Sequence, residues 1–198
     1  MRRKTYFNRA AKDWDEHFDT PELATCLEHL VPTFGLEPGQ DVLDVGTGTG
    51  ILIPYLLQVI GRSGSITAID YAEKMVQRCS LKYSHLPNVS IKLQDVEELN
   101  LPSESFDAVI CFGLFPHLTN KEQALHNLNH VLKSGGKLII AHALSSGEVK
   151  AHHGISSAVA HDVLPEKHEM RRLLTRAGFS GIFIKDESGR YLCCSSKP

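Results

Sequence analysis

The sequence predicts an α/β fold with a seven-stranded, mostly parallel sheet, helices on both faces and a C-terminal antiparallel hairpin. Between residues 41 and 143, apolar strand-like runs alternate with helical patterns, which is typical of a parallel sheet. The run 106–112 is almost wholly apolar, as expected for a strand that is buried on both faces. The last two runs, 181–185 and 191–195, have too short a linker for a helical crossover, so they must pair antiparallel.

The elements follow one another along the chain in a regular order. The predicted strands before the hairpin cover residues 41–45, 65–69, 89–93, 106–112 and 137–143. The predicted helices are two segments within 6–30, followed by 50–60, 72–86, 121–132 and 166–177. Pro21 suits the start of the second N-terminal helix, and Ser134, Gly135 and Gly136 are expected to end the helix that precedes the fifth strand.

Composition indicates one globular domain over residues 1–198. Hydrophobic residues make up 42% and charged residues 22%, and the net charge of -2 offers no basic surplus for nucleic acid. No apolar run approaches the ~20 residues of a membrane-spanning helix, and we expect no secretory signal. Five cysteines, an odd number without a C-x-x-C pair, favour reduced thiols and a cytoplasmic protein.

A glycine loop, with Gly46, Gly48 and Gly50, follows the first strand and opens a helix. Glycines let the backbone approach a ligand, and a helix start offers free N–H groups. Several classes of nucleotide site share such a loop, but Ile51 stands where a dinucleotide fingerprint would continue towards its next glycine. Asp44, directly before the loop, would repel a pyrophosphate and could hold a cationic ammonium.

Two more acids stand at the ends of the next strands. Asp70 could accept hydrogen bonds from ribose hydroxyls, and Asp95 could take an adenine amino group beside the N–H of Val96. Each acid alone is more simply a turn or cap residue. Three acids at successive strand ends, beside one loop, favour a nucleoside ligand with a positive charge.

The chain resembles the class I S-adenosylmethionine (SAM)-dependent methyltransferases, in particular the small-molecule group that includes the ubiquinone/menaquinone methyltransferases. The matching stretches are residues 42–50, 68–75, 94–97, 101–109 and 131–138, so the resemblance covers about residues 38–143. It implies a Rossmann-like fold and methyl transfer from SAM that leaves S-adenosylhomocysteine (SAH). Residues 1–37 would then be an N-terminal helical cap, and residues 145–164 a cap on the acceptor side.

The resemblance also implies roles for individual residues. Asp44 and the loop backbone would hold the methionine part, Asp70 the ribose, and Tyr71 and Val96 the two faces of adenine. The carbonyl of Phe112 would meet the SAM ammonium, and an N-terminal aromatic, Tyr6 or Trp14, would close over SAM, although Trp14 also suits core packing. The implied cofactor-binding residues are Tyr6, Asp44, Gly46, Thr47, Gly48, Gly50, Asp70, Tyr71, Met75, Asp95, Val96 and Phe112.

The chain has eleven histidines, and several of them lie where the methyl acceptor is expected. A general base helps only if the acceptor must lose a proton, and we predict His117, His142 and His153 as catalytic. The same residues with His152 could instead bind a metal, although no His-x-x-x-His pair lies in the cap. Each is otherwise a surface or hydrogen-bonded histidine. His126 and His130, on one helix, are expected to be exposed.

The acceptor itself is left open by the sequence. It is a small molecule methylated at C, O, N or S, or a carrier-bound group or corrinoid that stays partly outside. Arsenite is disfavoured because Cys26, Cys79 and Cys111 are predicted to be core. Two other functions are a non-catalytic SAM-binding module that acts through a protein partner, and a nicotinamide oxidoreductase, which the loop spacing, Asp44 and the hairpin oppose. The oligomeric state is not readable from the sequence.

Overall fold

A computed structural model of the chain describes residues 2–18, 20–154 and 159–198. Seven strands form one sheet in the order β3-β2-β1-β4-β5-β7-β6. Strands β1 to β5 pair in parallel, whereas β7 runs antiparallel to both β5 and β6. The strands are β1 Asp41–Val45, β2 Ser65–Asp70, β3 Val89–Leu93, β4 Phe106–Phe112, β5 Leu132–His142, β6 Ser180–Glu187 and β7 Arg190–Ser196. The predicted fold class is confirmed.

Eight α-helices connect and cover these strands within the described residues. The N-terminal part has three helices where two segments were predicted, and the first of them begins earlier, at Arg2. The third starts as expected, since Thr20 accepts a hydrogen bond from the Leu23 N–H at 3.2 Å and Pro21 takes the first helical position. The helices are α1 Arg2–Ala10, α2 Trp14–Phe18, α3 Pro21–Leu30, α4 Ile53–Ile60, α5 Glu73–Tyr83, α6 Lys121–Val131, α7 Ser146–His153 and α8 Lys167–Arg176.

Hydrophobic side chains on the two faces of the sheet form two separate clusters. Successive residues of β1 alternate between them, with Val42 packed in one cluster and Leu43 in the other. The first cluster takes in Leu56 of α4, and the second takes in Leu128 of α6 and Leu174 of α8. Each fully buried leucine contributes about 1.5–3 kcal/mol relative to an exposed one. Both faces of the sheet are therefore covered, as a parallel sheet requires.

Strand β5 starts five residues before its predicted beginning. Helix α6 ends at Val131 and β5 begins at Leu132, so Ser134, Gly135 and Gly136 lie within the strand and do not end the helix. Phe106 pairs with Leu132 but Ala108 pairs with Lys137, so β5 bulges between these pairs. Gly135 has a φ of 77°, a backbone conformation that suits glycine at such a bulge.

The strand order reverses between β1 and β4, because the chain moves outward to β2 and β3 and then returns. In open α/β sheets ligands bind at this switch point, beyond the carboxyl ends of the strands. Gly46 follows β1 and Gly113 follows β4, with φ of 71° and 68° respectively, so both strands end in turns that favour glycine. Across the described ranges, no helix is long and apolar enough to cross a membrane.

Candidate functional site

A cavity of about 880 Å³ lies at the switch point. Its walls come from helix α1, the ends of β1 and β2, residues 94–97 after β3, and residues 114–119 after β4. The volume lies within the range of small-molecule and cofactor sites. The cavity therefore joins the three strand ends that carry the predicted acids to the segment that carries His117.

The glycine loop is held against the sheet at its start. The Gly46 N–H donates to the Ile69 carbonyl at 2.8 Å, and the Thr47 hydroxyl donates to Asp44 Oδ2 at 2.6 Å. A Cβ on Gly46 would lie only 2.8 Å from the Leu114 side chain, which packs directly over the loop. Glycine is thus required at position 46 by both its backbone conformation and the approach of Leu114.

Two buried carboxylates stand beside the loop. Asp44 is 2% exposed and Asp70 is 8% exposed, and Asp70 accepts hydrogen bonds from the N–H groups of Gly48 at 3.0 Å and Ala72 at 2.8 Å. Burial raises the pKa of each carboxyl to about 6. The rise is partly opposed by the backbone hydrogen bonds to Asp70 and by the Thr47 hydrogen bond to Asp44. A cation bound between them would favour their ionised forms.

Further groups line the cavity after the ends of β2 and β3. Tyr71, Asp95 and Val96 all face it, and burial raises the pKa of the Tyr71 hydroxyl. Asp95 also accepts a hydrogen bond from the Glu97 N–H at 2.9 Å and so caps the short 3-10 helix Val96–Glu98. Asp95 is therefore both a cap residue and a lining residue.

Helix α1 closes the cavity with Phe7. The Phe7 ring lies 6.3 Å from the Tyr71 ring and 5.1 Å from the His117 ring, whereas Tyr6 stands outside the lining residues. Asn8 fastens the helix, because its Oδ1 accepts from the Lys74 N–H at 2.9 Å and its Nδ2 donates to Glu73 at 2.8 Å.

Helix α2 lies against the outside of the glycine loop. Trp14 packs on the rings of Phe7 and Phe18, and its Nε1 would be 3.7 Å from a Cβ on Gly48. Asp15 accepts from the Thr49 hydroxyl at 2.5 Å and from Lys82 Nζ at 2.8 Å. Burial opposes ionisation of Asp15, but these hydrogen bonds outweigh it and lower its pKa. Residues 2–18, called the N-terminal cover below, thus close one side of the site.

His117 is held by a carboxylate that no motif pointed to. Its Nδ1 lies 2.8 Å from Oδ2 of Asp162, which is 1% exposed. Because a carboxylate only accepts, His117 Nδ1 carries the hydrogen and Nε2 is left as the basic nitrogen. Burial lowers the pKa of His117 more than Asp162 raises it, and the nearby His153 lowers it further. A neutral imidazole with a basic Nε2 therefore borders the cavity.

His153 and His142 lie near His117 but present different groups. His153 is buried, its ring centre is 4.8 Å from that of His117, and its Nδ1 donates to the Asp162 carbonyl at 2.6 Å. His142 Nδ1 accepts the Leu144 N–H at 3.0 Å, so the hydrogen of a neutral His142 is on Nε2. Burial, together with His153 and His117, lowers the pKa of His142 to about 4.

The metal site predicted on His117, His142, His152 and His153 is not supported. Within the described ranges, no group of three or more His, Cys, Asp or Glu side chains has the arrangement of a metal site. A metal ligand must offer a free lone pair. In His142 the Nδ1 lone pair already accepts the Leu144 N–H, and Nε2 of the neutral ring carries the hydrogen. His152 is exposed.

The predicted cofactor residues fall into two sets. Those that line the cavity are Gly46, Asp70, Tyr71, Asp95 and Val96. Those outside the lining are Tyr6, Asp44, Thr47, Gly48, Gly50, Met75 and Phe112. Met75 is buried against Ala11 and Ala72, which is a packing role.

Four residues of the site escaped the sequence reasoning, namely Arg3, Phe7, Asp15 and Asp162. Phe7 adjoins Tyr6 in the sequence, so an aromatic there was a usable signal. The other three residues contact partners that are distant in the sequence, so the sequence held no signal for them. The predicted acceptor-side cap, 145–164, is described except for 155–158, which lie outside the described residues. His126 and His130 are exposed, as predicted.

Comparisons with known proteins agree with this geometry. A methyltransferase domain family matches residues 43–140. The ubiquinone/menaquinone biosynthesis C-methyltransferase UbiE of Hydrogenovibrio crunogenus is 34% identical over 116 residues, which are 57% of this chain and 45% of that enzyme. The matched segment thus spans under half the length of that curated relative.

Solved structures match over nearly the whole chain. A SAM-dependent methyltransferase from Aquifex aeolicus has a TM-score of 0.76 and 25% identity, covering 96% of this chain and 98% of that one. The phosphoethanolamine N-methyltransferase 2 of Haemonchus contortus, solved with SAM, has a TM-score of 0.77 at 15% identity, covering 95% of this chain and 56% of that one, and shows the shared fold. Together with the strand order and the glycine loop, these matches identify the chain as a member of the class I SAM-dependent methyltransferases, similar to the UbiE enzymes.

Proposed function

We propose that this protein transfers the methyl group of SAM to a small-molecule acceptor, with His117 as the general base that removes the acceptor's proton. One observation carries the proposal. His117 lines the same cavity as Asp70 and Tyr71, and Asp162 fixes its ring through Nδ1. A base held beside the cofactor cavity is the arrangement that proton removal during methyl transfer needs.

The residues of the cavity fit SAM. Asp44 and Asp70 are buried carboxylates whose ionisation a cationic ligand would favour, and SAM carries an ammonium and a sulfonium. We assign the ribose to Asp70, the adenine to Tyr71, Asp95 and Val96, and the methionine part to Asp44 and the loop. The carbonyl of Phe112 belongs to the same proposed set.

The chemistry of the acceptor follows from the state of His117. When bound, SAM supplies a methyl group activated by its sulfonium, so the protein has to place the acceptor, exclude water and take a proton. His117 Nε2 would accept that proton from an O–H, N–H or S–H group. A ring carbon beside a hydroxyl becomes nucleophilic by the same proton loss, which also allows C-methylation. C-methylation is what the name of the UbiE relatives states for those enzymes.

The remaining polar groups on this side suit an acceptor that carries oxygen. His142 offers an N–H at Nε2, within electrostatic reach of His117 and His153. Such an N–H would donate to an acceptor oxygen while His117 removes a proton. We propose that residues 1–198 act as one domain, with residues 1–37 over the cofactor and residues 145–164 over the acceptor. An acceptor attached to a carrier would enter the site on the side covered by residues 145–164.

The test compares two variants in a methyl-transfer assay with labelled SAM and a panel of phenols, thiols and amines. We expect His117→Asn to lower kcat by about 10²–10⁴-fold, the usual contribution of a general base, with SAH affinity nearly unchanged. The matched control is His126→Asn, because His126 is exposed on α6. A His117→Asn enzyme that keeps the wild-type kcat would show that His117 is not the base.

A cofactor titration separates the other functions. SAM and SAH should bind in the micromolar range, whereas NAD should not bind. Binding of SAM with no product from any acceptor would instead support a non-catalytic module that acts through a protein partner.

A further inference from the structure

Arg3, near the start of α1, reaches across the site to the segment after α7. Its Nε lies 2.9 Å from each carboxylate oxygen of Asp162, and its Nη2 also binds that carboxylate. Its Nη1 donates to the Thr119 hydroxyl at 3.1 Å. The planar fork of a guanidinium matches a carboxylate in this bidentate way, and such pairs fix geometry better than a lysine does.

The carboxylate that Arg3 holds is the one that orients the base. Asp162 accepts from His117 Nδ1 through Oδ2 and is buried, and its backbone carbonyl accepts from His153. Burial alone would raise the pKa of Asp162, but the hydrogen bonds from Arg3 and His117 outweigh it and lower the pKa. Asp162 is therefore an anion that depends on Arg3 for part of its stabilisation.

We propose that Arg3 is a positioning residue: by holding Asp162, it keeps His117 oriented for reaction only while the N-terminal cover is closed. That His117 acts in the reaction rests on the proposed function, whereas the coupling of Arg3 to His117 rests on the described contacts. The same helix places Phe7 against Tyr71 and His117, so one movement would both open the cofactor cavity and release the base.

The position of Arg3 sets the direction in which the pKa of His117 shifts. The charged and titratable groups around His117 are Asp162 beyond α7, Arg3 on α1, and His153 and His142 on α7 and β5. With the cover closed, the Arg3 cation offsets the Asp162 anion and lowers the pKa of His117. With Arg3 withdrawn, the unpaired anion would favour imidazolium, which cannot act as a base. Opening would thus protect the acceptor side from proton removal when the cofactor is exposed.

Two variants and a matched control test the coupling in the full-length protein. Arg3→Gln removes the charge, Arg3→Lys keeps the charge without the fork, and Arg9→Gln removes an exposed arginine of the same helix. The pKa of His117 is followed by NMR in the SAH-bound protein, which needs no acceptor and no turnover. We expect Arg3→Gln to raise it by about 1 unit, Arg3→Lys to restore it in part, and Arg9→Gln to leave it unchanged.

Kinetics separate positioning from a merely structural contact. If Arg3 positions the base, Arg3→Gln lowers kcat at saturating SAM and moves the acidic limb of the kcat profile to higher pH. If Arg3 only fastens the cover, KM for SAM rises while kcat and its pH profile keep their wild-type values, and the proposal is overturned. An unchanged pKa of His117 in Arg3→Gln also overturns it.

Failure of the proposed function gives a different pattern. In that case His117→Asn leaves methyl transfer intact, while Arg3→Gln still moves the pKa of His117. That result would support the Arg3–Asp162–His117 coupling and show that His117 is not the base of the reaction.

Discussion

The two sides of the cavity are held together by different kinds of interaction. On the cofactor side, strand ends and backbone N–H groups fix the carboxylates, as with Asp70 and the N–H groups of Gly48 and Ala72. On the acceptor side, one residue, Asp162, holds His117 and Arg3 through its carboxylate and His153 through its backbone carbonyl. The cofactor side should therefore be sensitive to backbone changes, and the acceptor side to the loss of single side chains.

The sharpest contrast lies in two glycine substitutions. Gly46→Ala forces a left-handed backbone and a clash with Leu114, and we expect a loss of about 2–4 kcal/mol in the free energy of unfolding. Gly147→Ala, in α7 where a Cβ meets nothing within 4 Å, should instead stabilise by about 0.5–1 kcal/mol. Urea denaturation measures both. Equal effects at the two positions would contradict the contrast.

The next effect concerns one carboxylate on each side. We expect Asp70→Asn to weaken SAH binding by about 10–100-fold, because charge-assisted hydrogen bonds of ~1.5–3 kcal/mol are lost. Calorimetric titration with SAH measures the change. The control is Asp186→Asn, whose carboxylate accepts from the N–H and hydroxyl of Ser146 on the acceptor side and should leave the affinity unchanged.

A smaller effect is expected from pH. The pKa values of Asp44 and Asp70 are raised to about 6 in the folded protein, against 3.8 ordinarily. In the proposed assignment Asp44 must be ionised to attract the ammonium, and Asp70 must be ionised to accept hydrogen bonds from both ribose hydroxyls. SAH affinity should therefore fall as pH drops through 6, by about tenfold per unit for each group. Titrations at several pH values between 7.5 and 5 measure this, and an affinity that is flat over the range would contradict the assignment.

The same shifts fix the sign of the stability change without ligand. A carboxyl with a raised folded pKa stabilises the fold below its unfolded pKa, and that contribution is lost as pH rises from about 4 through 6. Asp70→Asn should remove the Asp70 part of this slope. The stability difference between wild type and variant should therefore change between about pH 4 and 6, and a constant difference would show that Asp70 does not titrate there.

The smallest effect is expected where α7 is anchored. Glu148 accepts hydrogen bonds from Ser145, Ser188 and the Gly189 N–H, which tie the helix start to the β6–β7 turn, and these bonds lower its pKa to about 2. Glu148→Gln should speed hydrogen exchange in α7 and leave SAH affinity unchanged. Faster exchange in the glycine loop as well would mean that the two sides are not independent.

The lining residues that the sequence placed at the ends of β1, β2 and β3 have local signals. Gly46, Asp70 and Asp95 each stand at the end of a strand, so strand pattern and residue type sufficed. The Arg3–Asp162 contact joins residues 159 positions apart, and His117–Asp162 joins residues 45 apart, so no spacing could reveal them. The resemblance implied Tyr6, whereas Phe7 lines the cavity, because one residue turns a helix by about 100° and the sequence pattern does not fix that phase.

The Asn8 contact gives the N-terminal helices a further meaning. Helix α5 starts at Glu73, and its N-cap residue, Ala72, makes no side-chain capping bond, so Asn8 completes the helix end from 66 positions earlier. A shortened chain that began at residue 20 would leave that end open, at a cost of about 1 kcal/mol for the cap alone. The N-terminal cover therefore stabilises the first turn of α5, and a truncation meant to simplify the protein would destabilise that helix.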